Sequence, residues 1–149
     1  MVGSGTAIMR DGPADPDLSS LLAGLGRRIP HSPEAEAVCL GSVLYDNRVR
    51  ERLHFLRHEH FAVQAYGETW RLICEAIDAG GTANPVTLAG ACDALGGAHY
   101  LMDLADRAVT RSDAAAHGRI VVEHALRRQL IAAAEAAVDQ RTALTFSTP

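Results

Sequence analysis

A chain of 149 residues is long enough for one domain with a core of its own. Hydrophobic residues at 48% and charged residues at 21% exclude wholesale disorder, and 5% aromatics with plentiful alanine favour close-packed helices over a β-sandwich. The formal net charge of −4 argues against a protein that holds DNA mainly through phosphates, so direct DNA binding is expected to be weak or absent.

Residues 1–29 are rich in Gly, Pro, Asp and Ser and read as a flexible tail. Leu18, Leu21, Leu22 and Leu25 could form one helical turn there, which Gly24 and Gly26 oppose. Order is expected from Pro30. Ser32 is a good N-cap, Pro33 suits the first helical position, and Glu34 and Glu36 complement the helix dipole, so a first helix runs to about Leu44. Tyr45-Asp46-Asn47 is a turn, and Asp46 or Asn47 caps a second helix in which Val49, Leu53 and Leu56 recur at helical spacing. A third helix covers about Ala65 to Ala79, with Trp70, Ile73, Cys74 and Ile77 inward, and Gly80-Gly81 ends it. Asn84-Pro85 opens a fourth, Val86 to Leu95, which stops at Gly96-Gly97. A fifth carries Tyr100, Leu101 and Leu104. Ser112 caps a long sixth helix from about Asp113 to Asp139, and residues 141–149 read as a frayed tail. The pattern contains no strand signal and no internal repeat. It predicts an all-α fold, with a compact multi-helix head over residues 30–111 and a long C-terminal helix over residues 112–140.

The sixth helix carries two apolar stripes. Val122, Leu126, Leu130, Ala133 and Ala137 form one; Ile120, Ile131, Ala134 and Val138 form the other, roughly 120° around the helix. A helix packed on one side needs a single stripe. Two are explained either by a partner helix or chain, or by a helix buried centrally in one domain. Periodicity alone leaves the two open; where a partner is involved, the second stripe is the one expected to remain partly exposed and to meet it. Ile120, Arg127, Ile131, Ala134, Glu135 and Val138 are the candidate interface residues.

Little in the chain points to catalysis. All 14 basic residues are arginines, so no lysine is available for a P-loop, and Val2-Gly3-Ser4-Gly5-Thr6 lacks the required GK[ST] ending. Neither a GxSxG serine nor a supported Cys–His pair is present. His54, His58 and His60 lie near Glu51 and Glu59, and the four-residue step from His54 to His58 could place two imidazoles on one helix face. A small metal-binding protein is the alternative this cluster supports, but a solvated, Arg-rich helix end explains it better, and no metal or cofactor is expected. Arg48, Arg50, Arg52 and Arg57 could make a small basic face, diluted by Glu51 and Glu59. Cys39, Cys74 and Cys92 lack the paired spacing of a zinc site or disulfide framework and read as buried, reduced thiols of a cytoplasmic protein. No segment approaches the roughly 20 apolar residues of a membrane span.

From about Pro30 to Asp139 the sequence resembles the N-terminal domain of bacterial DnaB-type replicative DNA helicases. The residues that carry the resemblance begin with Pro30-His31-Ser32-Pro33-Glu34-Ala35-Glu36 and Leu40-Gly41-Ser42-Val43-Leu44. Phe61, Glu75-Ala76-Ile77 and Pro85-Val86-Thr87-Leu88 follow. Gly96-Gly97-Ala98-His99-Tyr100-Leu101 resembles the family's GGxxYL, and Gly118-Arg119-Ile120-Val121 with Ala125-Leu126-Arg127-Arg128-Gln129-Leu130-Ile131 resembles its long helix. The resemblance implies an all-helical head followed by a helical hairpin. In the family such hairpins pair between subunits to form a collar on the motor ring, where primase docks. The stretch from Phe61 to Ile73 is about one helical turn longer than in the family, and that from Leu88 to Gly96 is shorter. The sequence given ends at Pro149, before the family's second hairpin helix, linker and ATPase domain, and so reads as an excised domain or a stand-alone protein.

The function implied is a non-enzymatic replication module that self-associates and docks primase or a full-length replicative helicase. A collar mimic that regulates helicase assembly is the alternative within the same family.

Overall fold

The computed structural model describes residues 31–147, with side chains to Leu144. The expected tail over 1–29, including its glycine-rich start, lies outside the described residues. Those described are helical or irregular, without a strand. Residues up to Arg127 belong to one compact unit and residues from Arg128 onward to a second.

Helix α1, Pro33–Tyr45, begins as the sequence predicts: the Ala35 N–H donates to Ser32 Oγ at 3.3 Å, with Pro33 in the first turn. Ala37, Cys39, Leu40 and Val43 are wholly buried, which makes α1 the centre of the head. Asp46 accepts from the Arg48 N–H and starts a 3-10 helix, Asn47–Leu53, where a second α-helix was predicted. Val49, Leu53 and Leu56 are nevertheless buried as their spacing required. Asn47 fixes the end of α1. Its amide donates to the Val43 and Ala83 carbonyls, both at 2.7 Å, and its oxygen accepts from the Ala83 N–H at 2.9 Å.

Helix α2 spans Gln64–Asp78. Trp70 and Ile73 are buried, while Cys74 and Ile77 are half-buried at the edge of the core. The Trp70 indole donates to the Leu56 carbonyl at 3.2 Å and packs against Phe61 with ring centroids 5.7 Å apart. Both contacts hold the irregular segment before α2 against the inward face of that helix.

The predicted fourth helix is not continuous. Residues 85–92 form successive turns, with Leu88 donating to Asn84, Ala89 to Val86 and Cys92 to Leu88, before a 3-10 turn at Asp93–Leu95. Pro85 supplies no donor and Gly90 weakens the only other full turn, so too few backbone hydrogen bonds remain to propagate an α-helix. Leu88 and Cys92 still enter the core. Gly96 and Gly97, both at positive φ, turn the chain into helix α3, Gly97–Ala105. The α1–α3 crossing is close: a Cβ on Gly41 would lie 1.8 Å from the Leu104 carbonyl oxygen, so glycine is the residue that fits. Ser42 Oγ accepts from the Val109 N–H at 3.1 Å, and Thr69 Oγ1 shares a hydrogen bond of 2.8 Å with the Tyr100 hydroxyl.

Helix α4 runs from Arg111 to Ser147, 37 residues, and extends beyond the expected end at Asp139. Thr110, not Ser112, caps it: its hydroxyl accepts from the Asp113 N–H at 3.3 Å and its carbonyl from the Ala114 N–H at 2.8 Å. None of the described helices is long and apolar enough to cross a membrane.

Candidate protein-interaction surface

The part of α4 within the first unit meets the core of the head through small residues. Ala114, Ala115, Gly118, Val121 and Ala125 are buried. Gly118 sets the distance of approach, since a Cβ there would lie 2.5 Å from Leu53 Cδ2 and 3.1 Å from the Phe55 ring. This inward face is neither of the two stripes read from the sequence. Alanine and glycine supply it, and an apolar periodicity weighted toward large side chains passes over them.

The first stripe, which a one-sided helix would turn to its core, is largely outward. Val122 is half-buried, but Leu126 is 56% exposed. In the second unit Leu130 is 71% and Leu144 69% exposed, and Ala133 and Ala137 are exposed as well. Leucines left this open on a helix mark a surface able to bury apolar area against a partner.

The candidate interface residues divide between the two units. In the first, Ile120 is 40% exposed, and Arg127 is exposed with its guanidinium on Glu123 at 2.8 Å. In the second, Ile131, Ala134 and Val138 are half-buried and Glu135 is exposed. Leu126 and Leu130 lie outside the stripe expected to stay exposed, and periodicity alone does not single them out as outward.

In the head a buried carboxylate helps to hold the fold. Glu36 is 1% exposed, and its carboxylate accepts from the Ala62 N–H at 2.9 Å and the Val63 N–H at 3.1 Å, immediately before α2. It therefore does more than complement the dipole of its own helix. It serves the amides that lead into α2, whose N-cap Val63 has no side-chain acceptor. Burial, with the Glu36 carboxylate adding to it, pushes the Cys39 thiol up to about 12.

The histidine cluster does not assemble. His54 Nδ1 faces the Glu51 carbonyl at 3.1 Å, His58 lies 3.5 Å from Glu59, and His60 Nδ1 accepts from the Arg57 N–H at 3.0 Å. Among the described residues no group of three or more His, Cys, Asp or Glu is placed to hold a metal ion. Between His54 and His58 the chain is not helical: it turns at His54–Phe55 and is extended at Arg57 before the short 3-10 turn His58–His60, so the α-helical spacing on which the His54–His58 pairing relied is absent. The basic face is also reduced. Arg48 pairs with Asp46 at 3.0 Å, Arg50 pairs with Asp78, and Arg111 adds a contact to Asp46 at 3.6 Å. Hydrogen bonds from Arg48 hold the Asp46 carboxyl below its ordinary range.

Comparison with known proteins agrees with this architecture. The curated relatives include the replicative DNA helicases DnaB of Rickettsia conorii and Rickettsia felis, each 28% identical over 120 residues. Those matches cover 76% of this chain but 24% of each relative, so the chain spans about a quarter of their length. Among solved structures, the N-terminal domain of DnaB helicase from Mycobacterium tuberculosis superposes with a TM-score of 0.75 at 27% identity, covering 81% of this chain and 91% of that one. The sequence model of the DnaB-like helicase N-terminal domain matches residues 28–123. With its all-helical head, its buried Glu36 and the start of its long final helix inside the matched region, the chain belongs to the DnaB-like helicase N-terminal domain family.

Proposed function

We propose that this chain is a protein-interaction module of DNA replication. It associates through α4 with copies of itself or with a full-length replicative helicase, and it offers a docking surface to primase. The observation that carries the reading is the exposure of large apolar side chains, Leu126, Leu130 and Leu144, along a helix whose small residues already serve the head. The candidate residues Ile120, Ile131, Ala134 and Val138 belong to the second stripe, roughly 120° around the helix from these leucines, and would extend an interface to a second side of α4. Arg127, exposed and paired with Glu123, would supply a polar group beside Leu126 of the kind found at the edge of apolar contacts between proteins. The sequence contains no lysine, hence no Walker A loop, which supports a non-enzymatic role for this chain.

The test is capture of the purified chain on immobilised primase and, separately, on immobilised full-length helicase of its own organism. Saturable retention on either, weakened by Leu130→Glu without loss of helicity, is the expected result. Absence of retention on both, with the fold intact, would count against docking.

A further inference from the structure

We draw no further inference here: the strongest candidate, the exposed leucine–alanine face of α4, is an unpartnered apolar face, and nothing in the structure shows what covers it beyond the association already proposed.

Discussion

Replacing Glu36 with alanine tests the most specific contact in the head. The carboxylate is 1% exposed and accepts two backbone N–H groups, from Ala62 at 2.9 Å and Val63 at 3.1 Å. Hydrogen bonds to a charged acceptor contribute about 1.5–3 kcal/mol each, and a buried donor left without an acceptor costs about 1–3 kcal/mol. Part of that gain is offset by the desolvation of the carboxylate itself. Glu36→Ala should therefore destabilise the domain by about 3–5 kcal/mol. Glu36→Gln keeps the shape and one acceptor oxygen, and should cost about 1–2 kcal/mol. Glu34→Ala, two residues earlier on the exposed side of the same helix, should cost less than about 0.5 kcal/mol. Urea unfolding followed by circular dichroism measures all three through the shift in midpoint at constant m. A Glu36→Ala midpoint within experimental error of wild type would refute the claim that this carboxylate ties the start of α2 to α1.

Three further outcomes follow from the geometry. Gly41→Ala should destabilise by about 3 kcal/mol or more, because its Cβ meets the backbone of α3 at the Leu104 carbonyl and cannot be relieved by a rotamer change; thermal unfolding reads it directly, and an unchanged Tm would contradict the close crossing. At pH 8 a thiol reagent should label half-buried Cys74 first, while Cys39, buried and with its thiol pushed up to about 12, should react only as fast as the domain unfolds; mass spectrometry of the labelled peptides distinguishes the two, and rapid labelling of Cys39 would overturn the assignment. Purified protein should show no ATP hydrolysis, with or without single-stranded DNA, and no submicromolar DNA binding at physiological salt; turnover that tracks a point mutation in the chain, or tight salt-sensitive binding, would reverse either expectation.

Much of the head was legible because its signals are local. Ser32-Pro33 marks the start of α1, and Trp70 and Ile73 repeat at the spacing that buries them in α2. Gly96-Gly97 likewise announces the turn into α3. The misread features depend on distant partners or on residues with little side chain. Glu36 looked like a dipole-complementing acid because its acceptor role is set by amides 26 and 27 positions away. The second helix was predicted as α because Val49, Leu53 and Leu56 bury equally well from a 3-10 turn. On α4 the large side chains drew attention to two stripes, whereas Ala114, Gly118 and Ala125 supply the contact with the head. Leu126 and Leu130, outside the stripe expected to be exposed, are among the most open of the described leucines.

Sedimentation velocity across a wide concentration range reads self-association through α4. The wild-type chain should move from a 15.9 kDa monomer toward a dimer or larger species as concentration rises. Leu130→Glu places a charge on the open face and should hold the protein as a folded monomer, at a cost to association of a few kcal/mol. Ile131→Glu, on the half-buried second stripe, should likewise give a folded but more monomeric protein. A wild type that sediments as a single monomer at every concentration, up to millimolar protein, would mean that α4 does not carry self-association.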